Sequence, residues 1–103
     1  MEAPYSTTIH CSIKERELIK SSAQKRGLTV LNFVNVAIKN HIPIKEIRHF
    51  DQAINRTETK IGAQIPDDLY ELVVTNKELL NSPFQKVAMY HVVLTAVLME
   101  CEG

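Results

Sequence analysis

The run Ser6-Thr7-Thr8-Ile9-His10-Cys11-Ser12-Ile13-Lys14-Glu15 changes period half-way, and that change decides the fold. From Ser6 to Cys11 the residues alternate: Ile9 and Cys11 point one way, Thr8 and His10 the other, and Thr7, Thr8 and Ile9 favour extended backbone. A short, half-buried strand is expected. Ser12 then stands three residues before Glu15, the spacing at which a hydroxyl and a carboxylate satisfy each other's backbone amides at a helix start. A helix opening at Ile13 places Ile13, Leu18, Ile19, Ser22 and Ala23 roughly on one face, with Lys14, Arg16, Glu17 and Lys20 outside. Lys25, Arg26 and Gly27 give it a basic, glycine-terminated end.

Working outward, Thr29 is placed to cap a second helix in which Val30, Phe33, Val34, Ala37, Ile38 and Ile42 recur at three- and four-residue steps, stopping before Pro43. From Pro43 to Thr59 the period weakens, and we read a structured linker, with Ile44, Ile47, Phe50 and Ile54 able to form a short amphipathic helix. Alternation returns at Lys60: Ile61, Ala63 and Ile65 lie on one side, Lys60, Gly62 and Gln64 on the other. Pro66 occupies a favoured helix-start position, and Asp67 and Asp68 suit the positive end of a third helix. Leu69, Leu72, Val73 and Leu80 supply its stripe, up to Asn81, a residue that tolerates the left-handed conformation. Ser82, Pro83 and Gln85 repeat a capping signature and open a last helix running to about Cys101.

Strand, helix, helix thus occurs twice. A shift of 54 positions matches Ile9 with Ala63, Cys11 with Ile65, Leu18 with Leu72, Ile19 with Val73, Gly27 with Asn81, Val30 with Phe84, Phe33 with Val87 and Ile38 with Val92. Pattern is shared, identity almost absent.

In the first unit the run from Ile9 to Ile19, followed by Gly27, Thr29 and Phe33, resembles the ribbon-helix-helix superfamily, the Arc, MetJ and CopG type of repressor. In the second, Gln64-Ile65-Pro66-Asp67-Asp68-Leu69-Tyr70-Glu71-Leu72 is similar to that family's strand-to-helix junction. The resemblance covers nearly all of the chain. It implies a mostly α fold with a short antiparallel β-ribbon, two ribbon-helix-helix units in one chain forming an intrachain pseudo-dimer. The first unit would take residues 1–42 and the second 60–103, with a linker over 43–59, helical in part, and one shared core. Tandem members are known among accessory proteins of plasmid DNA transfer.

The resemblance also implies a function: a sequence-specific, double-stranded DNA-binding regulator, either a transcriptional repressor or an accessory protein at a plasmid or phage DNA site. The ribbon would enter the major groove, read base edges with its outer face and hold phosphates at helix-start amides. By that analogy Thr8, His10, Lys60 and Gln64 contact bases, while Lys14, Arg16, Lys25, Thr29 and Ser82 contact phosphates. Many relatives carry Arg, Lys, Asn or Gln on both strands. Here Lys60 and Gln64 are the strong readers, Thr8 is modest and Gly62 reads nothing, so an asymmetric site is expected.

Composition sets the bounds. The chain has 103 residues, 45% hydrophobic and 23% charged, enough for one compact core but not for two independent ones. Net charge is zero, yet residues 1–60 carry ten basic and six acidic side chains and residues 61–103 two and six. Such asymmetry suggests one surface for an anionic ligand and another for something else. Cys11 and Cys101 make no disulfide framework, and Met1 to Thr8 resembles no signal or transit peptide, so the cytoplasm is the expected compartment. The apolar stretch Ala88 to Met99 is too short to cross a bilayer, so no membrane partner is expected.

His10, His41, His49, His91, Cys11 and Cys101 show no ligand spacing, and neither a metal nor another cofactor is expected. Cys11 reads as a small core residue and His91 as a hydrogen-bonded core or interface residue. No catalytic set is present, so we expect no enzyme. The last helix is apolar over more than one face. Val92 and Ala96 are expected in the core, and part of Met89, Tyr90, Val93, Leu94, Val97 and Leu98 on a surface for another chain. The alternative function follows from that surface: an antitoxin-like or adaptor module with weak or lost DNA binding, self-associating or binding a protein through the second unit and final helix.

Overall fold

The computed structural model describes residues 5–45, 59–81, 83 and 87–102. Strand β1 (Tyr5–Cys11) leads through the N-cap Ser12 into α1 (Ile13–Lys25). The capping box forms as its spacing requires: the Ser12 hydroxyl accepts from the Glu15 amide at 3.1 Å, and the Ser12 amide donates to Glu15 Oε1 at 2.8 Å. Gly27, at φ 69°, ends the helix in a Schellman turn, with the Leu28 amide donating to the Ala23 carbonyl and the Gly27 amide to that of Gln24. Helix α2 (Val30–His41) follows, capped by Thr29, whose hydroxyl accepts from the Asn32 amide.

Strand β2 (Thr59–Ile65) and helix α3 (Asp67–Leu80) come next, then α4 (Met89–Glu102). β1 and β2 pair antiparallel as a two-stranded sheet, with Ser6 opposite Gln64, Thr8 opposite Gly62 and His10 opposite Lys60. The chain is thus mostly helical with one antiparallel ribbon, and both strands of the ribbon come from the same chain. β2 begins 54 residues after β1 and has the same length, and α3 begins 54 residues after α1.

The inner face of the ribbon, with Ile9, Cys11, Ile61, Ala63 and Ile65, closes a single core built on α2 and α4. β1 lies against α4, β2 lies against α1 and α2, and α2 packs extensively on α4. Each strand therefore rests on helices from the other part of the sequence. Every residue from Val92 to Leu98 is buried.

That burial corrects the expected use of the last helix. Val93, Leu94, Val97 and Leu98 serve this chain's own core, because α4 is covered by β1, α1, α2 and α3 at once. Met89, Tyr90 and Met99 are only half-buried. Other expectations need revision too. Ile13 (55% exposed) and Leu72 (44% exposed) face outward, while Glu15 and Asn76 are buried in their place. Pro66 is the N-cap of α3 rather than its first residue, and β2 starts at Thr59, inside the expected linker. Asn81 is extended (φ −67°, ψ 138°), since its side-chain oxygen accepts from the Val87 amide and draws the chain onward instead of reversing it. Helix α4 starts at Met89, so Pro83 lies before it, in a bend. The helix expected over the linker falls on residues outside those described, apart from Ile44, which is buried in non-helical chain.

Two polar clamps hold the helices. Asn76 of α3 grips the chain beyond α2 by both ends of its amide: Oδ1 accepts from the Ile44 amide at 2.7 Å and Nδ2 donates to the Ile44 carbonyl at 3.0 Å. Glu100 of α4 joins the C-terminal ends of three helices. It accepts from Arg26 Nη1 at 2.7 Å and from Asn40 Nδ2 at 2.7 Å, with His41 Nε2 at 3.3 Å, and Arg26 Nη2 adds a bond to its carbonyl. The Arg26 guanidinium also lies over the Phe33 ring, 5.5 Å from its centroid. Burial alone would raise the Glu100 carboxyl, but the hydrogen bonds from Asn40 and Arg26 and the charges of Arg26 and His41 outweigh it and hold the group below its ordinary value.

Cys11 is fully buried, as its alternation with Ile9 predicts, and Cys101 is half-buried with its thiol pushed up by desolvation; neither is in a disulfide. Among the described residues no helix is long and apolar enough to cross a membrane.

Candidate nucleic-acid interface

A strand that buries every second side chain must show the others to solvent. In β1 these are Ser6, Thr8 and His10, and in β2 Lys60, Gly62 and Gln64, all exposed. The register sets them in three cross-strand pairs, Ser6 with Gln64, Thr8 with Gly62 and His10 with Lys60. The four residues expected to read bases, Thr8, His10, Lys60 and Gln64, thus share one face of one ribbon. Ser6 joins them, and alternation alone would have found it.

Neighbouring helices steady this face. The His10 ring meets the Tyr90 ring of α4 edge-on, with centroids 5.4 Å apart. Asn35 Nδ2 of α2 donates to the Gln64 carbonyl at 2.9 Å, tying β2 to α2 beside a candidate reader. His91 follows Tyr90 and is half-buried; its Nδ1 lies 3.4 Å from the Ala88 amide, and its ring stacks at a tilt on Tyr90.

Beside the ribbon opens a shallow cleft of about 290 Å³, walled by Arg16 and Lys20 of α1, Val30 and Leu31 at the start of α2, and Lys60, Ile61 and Gly62 of β2. Three cations and a helix N-terminus, whose first amides have no partner inside the helix, converge there next to the outer face. Arg16 lines this cleft, and Thr29 caps the helix whose first two residues line it. Lys20, in the charged run from Lys14 but not singled out from sequence, stands four residues after Arg16 and so on the same helix face.

Lys14 and Lys25 are exposed at the two ends of α1 and do not line the cleft. Ser82 lies outside the described residues. At the 54-residue offset the counterparts of Arg16, Lys20 and Lys60 are Tyr70, Val74 and Ser6, so that side of the ribbon lacks the matching charges. Among the described residues no group of three or more His, Cys, Asp or Glu side chains is placed to hold a metal ion.

A second cleft, of about 310 Å³, lies on α3. Leu72, Thr75 and Leu79 line it together with Ile42 and Pro43, and so do the acidic Asp68 and Glu71. No family model, no curated protein and no solved structure matches this chain.

Proposed function

We propose that the chain is a sequence-specific double-stranded DNA-binding regulator of ribbon-helix-helix type, a cytoplasmic repressor or an accessory protein at a plasmid or phage DNA site. The observation that carries this reading is the outer face of the ribbon. Hydrogen-bonding side chains stand exposed in register on a two-stranded antiparallel ribbon, an element that fits the major groove, while three cations line its flank.

The two units act as an intrachain pseudo-dimer in this reading. Three observations support it: β1 and β2 coincide at an offset of 54, α1 and α3 start at the same offset, and each strand lies on helices of the other unit. Thr8 and Gly62 are counterparts at that offset and also face each other across the ribbon, as a pseudo-twofold axis between them would require. The last helix departs from the repeat, since α4 starts at Met89 where the offset of α2 gives Phe84. Bases are read by Thr8, His10, Lys60 and Gln64 with Ser6, and phosphates are held mainly on the side of Arg16 and Lys20.

The test is selection from a random duplex library at two salt concentrations. A short enriched motif and an affinity that falls with salt are expected, since each neutralised phosphate releases counterions. Lys60→Ala and Gln64→Ala each lose about 1–3 kcal/mol of binding and relax the motif at their own positions. An unaltered motif in both variants defeats the reading. The cleft on α3, lined by Leu72 and Leu79 with Asp68 and Glu71, favours a second reading, a protein-interaction module, to which a salt-insensitive DNA affinity would point.

A further inference from the structure

His10 and Gln64 are counterparts at the 54-residue offset and stand on the outer face of opposite strands, yet the neighbouring helices hold them differently. Gln64 is held by its backbone: Asn35 Nδ2 donates to its carbonyl at 2.9 Å, and among the described residues its side chain makes no hydrogen bond. His10 is held by its side chain, its ring centroid 5.4 Å from that of Tyr90 and the two planes at 77°. That is the edge-to-face arrangement in which the positive rim of one ring meets the negative face of the other.

Tyr90 is a firm support. It lies in the first turn of α4, two residues before the run from Val92 to Leu98, every member of which is buried. Its ring also meets that of His91, with centroids 4.2 Å apart and planes at 50°. Tyr90 is thus tied to the core through α4, whereas His10 stands exposed on its strand. An imidazole left alone on a strand turns readily about its outer torsion, whose wells are broad and roughly two-fold. In the neutral ring one nitrogen donates and the other accepts, so each turn changes what a base edge would meet. Holding the ring in advance removes the cost of ordering it on binding.

We infer that Tyr90 is a positioning residue for DNA recognition: it fixes the plane of the His10 imidazole, and the base contacts made by His10 depend on it while those made by Gln64 do not. The inference rests on the DNA-binding reading and deepens it. The register puts the His10–Lys60 pair towards one end of the ribbon and the Ser6–Gln64 pair towards the other. One end of the outer face is therefore preset by α4, and at the other the reading side chain takes up its conformation on the DNA.

In the free protein the ring current of Tyr90 should displace the His10 imidazole protons in the NMR spectrum. Tyr90→Phe keeps that displacement and Tyr90→Leu removes it. Selection from the random duplex library with His10→Ala then marks the motif positions that His10 reads. Tyr90→Leu should reduce discrimination at those positions by about twofold to tenfold, the factor an aromatic pair contributes, and leave the positions read by Gln64 unchanged. Tyr90→Phe should select the full motif, and Tyr90→Leu added to His10→Ala should change nothing further. Tyr90→Met, which fills the same space without a ring, repeats the test if urea denaturation shows Tyr90→Leu to be unfolded. A motif untouched by loss of the ring, a loss spread evenly over all positions, or a further loss in the His10→Ala background overturns the inference and leaves DNA binding standing. A His10 displacement that survives removal of the Tyr90 ring overturns it without any DNA. A wild-type chain that selects no motif defeats the DNA-binding reading and this inference together.

Discussion

Gly62 faces Thr8 across the middle of the ribbon, and a Cβ built there meets nothing within 4 Å. Its backbone is not left-handed, so glycine is not required by conformation. Gly62→Thr should therefore keep the fold and gain about 0.5–1 kcal/mol from relief of chain entropy and a Thr–Thr cross-strand pair, as read by urea denaturation. On the proposed DNA-binding function, the same variant should change the selected motif at its centre, and a motif left intact would separate the outer face from recognition. Asn76 tests the opposite situation, a polar residue whose two bonds are wholly internal. Asn76→Ala leaves the Ile44 amide and carbonyl without partners in a buried place and should cost about 1–3 kcal/mol in the same denaturation experiment.

At the scale of elements, what was legible in the sequence is what is decided locally. The Ser12–Glu15 box, the Thr29 cap, the Gly27 stop and the two alternating strands each involve residues within a few positions of one another, and all form. Gly27 offers a clean test: it sits at φ 69° with open space around a built Cβ, so Gly27→Ala should cost only the left-handed backbone term, about 1–2 kcal/mol. A larger loss in thermal or urea unfolding would mean that the helix end carries packing not seen around Gly27. The residues misplaced by pattern reading depend on neighbours far along the chain. Leu72 and Asn76 lie one turn apart on α3, and hydropathy alone would bury the leucine. Asn76 goes inside because the chain after α2 supplies Ile44 as its partner, 32 residues away. The cap-like run at Ser82 and Pro83 shows the limit of local signals, since α4 opens only at Met89.

For the whole molecule, the least legible feature is the cluster at Glu100, whose partners Arg26 and Asn40 are 74 and 60 residues distant. Its carboxyl is depressed in the folded state, so the unfolded chain takes up the proton first as pH falls. The stability Glu100 contributes is complete above the ordinary carboxylate range, shrinks as pH enters it, and is gone below the depressed folded value. Glu100→Gln should lower stability at neutral pH by about 1–3 kcal/mol and flatten the acid limb of stability against pH. Equal acid limbs in both proteins would show that the cluster does not couple to folding. In the candidate interface, the outer face of the ribbon was legible because it follows from alternation, whereas the joining of Lys20 to Lys60 depends on how α1 packs beside β2.

Both strands of the ribbon belong to one polypeptide, and this bears on how its surface can change. Where two identical chains share a ribbon, one codon change alters both strands at once, so every trial must suit both sides. Here a change at Thr8 leaves Gly62 as it was, and a change at Gln64 leaves Ser6 untouched. Each strand inherits its substitutions separately, and the surface is free to drift away from symmetry one position at a time.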